Sequence, residues 1–184
     1  MPISNKNLKD IVYAFLDSQN LNLGTSKNLY KGRKLIYKGW KLDFRKFRIY
    51  LREKLGVDRA FLFIGFIEKN RSLYKRLREY GYEIVFKEVV MGIRGELKGN
   101  IDADLVLKVV LEIDNYDKAI IVSGDGDFYS LYKYLIEEDK LKGIVIPNKK
   151  SESSLLKDFQ QYKVYLWRNR EILEKKMEGV AQYH

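Results

Sequence analysis

The stretch Ile120-Ile121-Val122-Ser123-Gly124-Asp125-Gly126-Asp127-Phe128 decides how the rest of the chain is read. A short, wholly apolar, β-branched run stops abruptly in small residues and two carboxylates. Such a run reads as a strand buried on both faces of a parallel sheet. Open α/β sheets place ligands at the carboxyl ends of their strands, so Asp125 and Asp127 are expected at a site. Two carboxylates held close together repel, and a cation between them relieves that repulsion. Oxygen donors alone favour a hard ion, Mg2+ or Mn2+.

Working outward, residues 11–16 form a similar apolar run that ends at Asp17. Residues 60–65, 82–86 and 143–147 read as further strands. Helical spacing lies between them. Phe44, Phe47, Leu51 and Leu55 share one stripe, with Gly56 as its stop. Leu73, Leu77 and Tyr80 mark a second helix stopped by Gly81. Leu105, Val106, Val109, Val110 and Ile113 mark a third, and Phe128, Leu131, Tyr132 and Leu135 a fourth. Leu155, Leu156 and Phe159 suggest a short helix, and residues 164–167 a short extra strand. Residues 18–41 are polar, Gly-bearing and basic without a clean period, and read as a loop or insertion. Residues 92–99 read as a Gly-rich basic loop.

Strands separated by helices imply right-handed crossovers. The expected fold is a three-layer α/β/α sandwich around a mostly parallel, doubly wound sheet of about five strands. One domain is expected over residues 1–167, with a basic insertion at 24–41. Residues 168–184 read as a charged helical tail, either a homodimer arm or a solvated end helix.

The 184 residues suit one domain. An apolar content of 46% with only 2 Pro argues against a disordered chain. With no Cys, disulfides, a thiol nucleophile and the usual structural zinc sites are excluded. The single His is His184, which leaves His-based acid/base chemistry without a candidate in the strand ends. There is no G-x-x-x-x-G-K-[ST] phosphate loop, and no G-x-G-x-x-G follows the first strand. No apolar run approaches the ~20 residues of a membrane span. The first residues carry no basic-then-apolar leader pattern, so a cytoplasmic protein is expected.

The net charge is +10, and its location matters more than its size. Residues 27–59 hold twelve Lys/Arg against three acids, a net of +9. A basic patch in an otherwise balanced domain is the footprint of a polyanion partner, most often nucleic acid. The alternative is a solvated face that aids solubility. Tyr30, Tyr37 and Trp40 are interleaved with these bases, and aromatics on a basic surface stack unpaired bases. The alternative is that the rings pack against the domain.

Asp17, Asp102, Asp125 and Asp127 all fall at strand ends or helix starts. The first strand and the strand at 118–122 are natural neighbours at the switch point of a doubly wound sheet. Asp17 and Asp125, 108 positions apart, are therefore expected to converge. Taken singly, Asp102 and Asp127 have the bland reading of helix caps. Asp104 competes with Asp102, but two positions on a helix are ~200° apart, and Asp102 is nearer the helix start. Asn20 is a candidate to hold a phosphate, a water or the Asp17 carboxylate, and otherwise a turn-former. Ser123 is a candidate for phosphate contact or for closing the tight turn.

The segments Y-A-F-L-D-S-Q-N (13–20), K-G-N-I-D-A-D-L-V-L (98–107) and Y-D-K-A-I-I-V-S-G-D-G-D-F (116–128) resemble the NYN domain, specifically its LabA-like branch. The resemblance covers residues 8–167. NYN domains belong to the PIN-like ribonuclease group. The resemblance implies a PIN-like sandwich and metal-dependent cleavage of RNA phosphodiesters. Carried over by position, the acid set falls on Asp17, Asp102, Asp125 and Asp127, and the companion amide on Asn20. Segment 24–41 departs from the family by its length.

The chemistry so implied uses one or two Mg2+ or Mn2+ ions on the four acids to activate water for in-line attack on phosphorus. RNA, preferably single-stranded, is the expected partner. Lys34, Lys38, Arg94, Lys98 and Trp40 are the expected contacts to it. An RNA-binding regulator without turnover is the main alternative, and a DNA nuclease a lesser one.

Overall fold

The computed structural model of the protein describes residues 9–87, 90–91, 97–98 and 101–176. The chain runs β1 (Val12–Asp17), α1 (Ser18–Ser26), β2 (Leu29–Lys31), β3 (Lys34–Tyr37), α2 (Phe44–Leu55) and β4 (Arg59–Gly65). Next come α3 (Arg71–Glu79), β5 (Glu83–Lys87), β6 (Val90–Met91), β7 (Leu97–Lys98) and α4 (Ile101–Leu111). Then follow β8 (Lys118–Val122), α5 (Tyr129–Glu137), β9 (Leu141–Ile146), β10 (Lys163–Tyr165) and α6 (Arg170–Leu173).

Every residue of β1 is buried, because it pairs in parallel on both sides and is covered on both faces. The main sheet has the order β10-β9-β8-β1-β4-β5. All its pairings are parallel. From β1 the chain builds outward to β5, then returns to β8 and builds to β10 on the other side. The switch point thus lies between β1 and β8, where Leu16 faces Val122 in register. Alternation along β1 divides the core. Val12, Ala14 and Leu16 pack with Leu21, Phe47, Leu51 and Leu77 on one face. Tyr13 and Phe15 pack with Leu105, Val109, Leu131 and Leu135 on the other. The result is the expected α/β/α sandwich, with six strands rather than five because residues 163–165 join β9.

Two segments differ from the sequence expectation. Residues 18–41 are not a loop: they form α1 and the antiparallel β2–β3 hairpin. The buried positions of α1 are Ser18, Leu21, Gly24 and Thr25, so its packing face is mostly small and polar and shows no apolar stripe. The segment from Asn169 has a single helical turn, α6, among the described residues. Leu173 is buried there, and the chain then turns extended, with the Lys175 N–H donating to the Lys41 carbonyl at 2.8 Å. Gly56 ends α2 as expected, with φ of 71° in the left-handed region that favours glycine. No helix among the described residues is long and apolar enough to cross a membrane.

Candidate active site

Asp17 is both the last residue of β1 and the cap of α1. Its Oδ1 accepts the Gln19 and Asn20 backbone N–H groups, each at 3.0 Å. Asp125 repeats the device past β8, its Oδ1 accepting the Asp127 N–H at 3.1 Å. The cap reading given to Asp102 and Asp127 thus falls instead on Asp17 and Asp125. Each spends Oδ1 on its own turn, and among the described residues Oδ2 accepts no hydrogen bond. Asp102, half-buried in the first turn of α4, faces the same space. These three carboxylates line a pocket of about 360 Å3 together with Gln19, Asn20, Lys27, Lys87 and Asn148.

Burial is the largest influence on Asp17 and raises its pKa above the usual carboxylate value. The charges of Asp102 and Asp125 raise it further, against hydrogen bonds from Asn20 and Gln19. Asp102 is raised as well, by burial first and then by Asp125 and Asp127, with Lys87 opposing. Carboxylates that hinder one another's ionisation suit a hard divalent cation, and among the described residues the Oδ2 atoms of Asp17 and Asp125 accept no hydrogen bond. Among the described residues, no three acids stand close enough together to share one ion as they lie.

The profile of the NYN domain matches residues 12–166, from β1 past β10. The chain belongs to the NYN domain family. NYN domains are a PIN-like nuclease family whose members typically use divalent metals. A solved protein of unknown function from Vibrio parahaemolyticus RIMD 2210633 is similar in fold, with a TM-score of 0.62 and 24% identity. The match covers 85% of this chain and 93% of that one. No curated protein matches.

Within this NYN fold the remaining expected residues separate clearly. Asn20 lines the pocket and its Oδ1 accepts the Gly124 N–H at 2.9 Å. Its role is thus to brace the Ser123–Gly124 turn, while its side-chain amide has no protein partner among the described residues. Ser123 is fully buried and its Oγ accepts the Asp125 N–H at 3.2 Å, so it closes the turn and cannot reach a phosphate. Asp127 is exposed and does not line the pocket; it acts on Asp102 only through its charge.

Trp40 is a correction. Its ring is 4% exposed and its indole N–H donates to the Tyr37 hydroxyl at 2.7 Å, so it packs in the core and cannot stack on a base. Tyr30, by contrast, is 59% exposed on the hairpin. Lys34 and Lys38 are exposed on or beside β3, outside the pocket. Lys98 is placed by backbone pairing with Val90, and Arg94 lies outside the described residues.

The sequence reading missed Lys87, Asn148 and Tyr132 in this NYN site. Lys87 and Asn148 end or follow β5 and β9, so a search of every strand's carboxyl end, rather than acids alone, finds both. Tyr132 carries no such signal, since its spacing is that of a core stripe. Its ring is fully buried, yet among the described residues its hydroxyl has no hydrogen-bond partner. Burial raises its pKa most, and the charges of Asp125 and Asp17 raise it further.

Gly126 has a steric reason. A Cβ there would collide with the Ser153 hydroxyl, which would have to turn away from the Leu155 N–H that it caps.

Proposed function

We propose that this NYN domain, of the LabA-like branch, is a cytoplasmic metal-dependent ribonuclease acting on single-stranded RNA. The observation that carries the reading is the meeting of Asp17, Asp102 and Asp125 in one pocket across the β1–β8 switch point. These three acids are the residues that would hold Mg2+ or Mn2+, and Asp127, outside the pocket lining, adds its charge. When bound, the ion supplies Lewis acidity that activates water and offsets charge on the phosphoryl oxygens.

The chain's own residues supply the rest. Lys27 and Lys87 bring positive charge to the pocket wall and bind phosphate. The amide of Asn20 is free to orient a non-bridging oxygen. Hydrolysis forms a P–O bond to water and breaks the P–O bond to the leaving sugar oxygen, which departs as an alcohol. Neither His nor Cys is required. The exposed hairpin, with Lys31, Arg33, Lys34 and Tyr30, draws in the polyanion. A second reading, an RNA-binding regulator without turnover, is favoured by the spacing of the acids, no three of which share one ion as they lie among the described residues.

The test is incubation of end-labelled single-stranded RNA with Mn2+ and either wild type or Asp125→Asn, which keeps the cap but loses the charge. Cleavage by wild type alone supports the ribonuclease. Equal cleavage by both sinks the assigned site. Binding without cleavage by either supports the regulator, and preference for DNA in a parallel lane supports a deoxyribonuclease.

A further inference from the structure

A second feature stands at the same sheet edge as the acid pocket. β4 ends at Gly65 and is followed by Phe66 and Ile67, and β5 ends in Phe86 and Lys87. Phe66 is 40% exposed and Phe86 36%, large values for rings that already touch. Their centroids are 5.3 Å apart in a T-shaped arrangement, and Tyr74 lies 4.9 Å from Phe86 and 5.9 Å from Phe66. The Arg71 guanidinium sits 5.8 Å from the Phe66 ring and that of Arg78 sits 5.5 Å from Phe86.

The cluster is built rather than loose. Tyr74, itself 2% exposed, accepts the Ile67 N–H at 2.8 Å and donates its hydroxyl hydrogen to the Gly65 carbonyl at 3.0 Å. One buried side chain therefore pins both sides of the turn that lifts Phe66 into solvent. Exposed rings held in this way mark an interaction surface.

Charge and position select the partner. Arg71 and Arg78 lie over the rings, and Lys69 and Lys75 are exposed on the same turn and helix, against Glu68, which is paired with Arg71, and Glu79. Aromatic faces among cations suit unpaired nucleobases and their phosphates. Strands in a sheet are ~4.8 Å apart, so β5 lies ~10 Å from β1, within a few nucleotides' reach of the acid pocket. Lys87, the next residue of β5 after Phe86, lines that pocket.

We propose that Phe66 and Phe86 form a base-stacking platform for unpaired nucleotides of the strand whose backbone enters the acid pocket. The platform explains a preference for single strands, because a duplex keeps its bases stacked inside. It rests on the nucleic-acid reading above and adds the surface that selects among nucleic acids.

The experiment is fluorescence anisotropy of labelled single-stranded and duplex RNA in EDTA, which prevents turnover, on wild type, Phe66→Leu and Phe66→Trp. Leu keeps the apolar contact with Tyr74 but removes the ring, and a thermal melt checks that the variant is folded. Stacking is worth ~1–3 kcal/mol per base, so Phe66→Leu is expected to weaken single-strand binding about 5-fold or more and leave duplex binding unchanged. Phe66→Trp restores affinity, and its added indole emission is quenched by the oligonucleotide. Single-strand affinity unchanged by Phe66→Leu overturns the platform while leaving the nuclease reading intact. Equal weakening of both RNAs overturns the stacking role in favour of a general apolar or protein-docking face. Failure of wild type to bind any single strand in EDTA overturns the platform, while the Mn2+ cleavage assay above decides the nuclease reading by itself.

Discussion

Asn20 Oδ1 accepts the backbone N–H of Gly124 at 2.9 Å, joining two turns that lie 104 residues apart in the chain. The backbone N–H of the same Asn20 donates to Asp17 at 3.0 Å. One residue thus orders the turn of Asp17 and the turn that leads into Asp125. Replacing Asn20 by Ala leaves the Gly124 amide without its partner. The expected cost is ~1–3 kcal/mol of stability, read as a lowered urea midpoint. RNA cleavage should fall more than the fraction unfolded explains, because the turn leading into Asp125 loses its tie to the turn of Asp17, whose own bond from the residue-20 backbone N–H is kept.

Tyr132→Phe should move stability the other way. Among the described residues the hydroxyl is buried without a partner, and removing it relieves that penalty without opening a cavity. Urea denaturation of the metal-free protein should give a midpoint equal to or above wild type. A clear loss would mean that the hydroxyl is bonded in solution.

The raised Asp17 and Asp102 carboxyls make a signed prediction about pH. A carboxyl whose pKa is higher in the folded than in the unfolded chain holds its proton more tightly when folded. Its contribution is present below the unfolded value near 3.8 and is lost as pH rises through the raised folded value. Asp17→Asn, which can still cap α1, should therefore gain stability over wild type as pH rises from acid to neutral in metal-free buffer. Denaturant midpoints at a series of pH values check this, and a gap that narrows with rising pH contradicts it.

Trp40 separates packing from binding. Because it is buried and hydrogen-bonded to Tyr37, Trp40→Ala is expected to cost ~3–5 kcal/mol. At temperatures where Trp40→Phe stays folded, its RNA affinity should match wild type in a filter-binding titration.

The strands were legible because β1, β4 and β8 are buried runs of apolar and β-branched residues, which few other structures accommodate. Asp17 and Asp125 were legible because they end those runs abruptly. α1 was not, since it packs by close approach: a Cβ on Gly24 would meet Pro147 at 2.7 Å. Its small buried residues leave no periodic apolar stripe for the eye to follow. The single turn of α6 was hidden because Leu173 docks in the core and the following backbone pairs with Lys41, a contact 134 residues away in sequence. Trp40 read equally well as surface or core, because local sequence does not reveal the tertiary contact that buries a ring. Phe66 and Phe86 escaped because each looks like the end of a core strand until their exposure is measured.

The most direct test of the central claim is the anomalous difference map of a Mn2+-soaked crystal. The account predicts a peak bounded by carboxylate oxygens of Asp17, Asp102 and Asp125, absent from Asp125→Asn crystals soaked alike. A saturating soak that leaves this pocket without a peak in the wild type, or a peak held elsewhere that persists in Asp125→Asn, would contradict it.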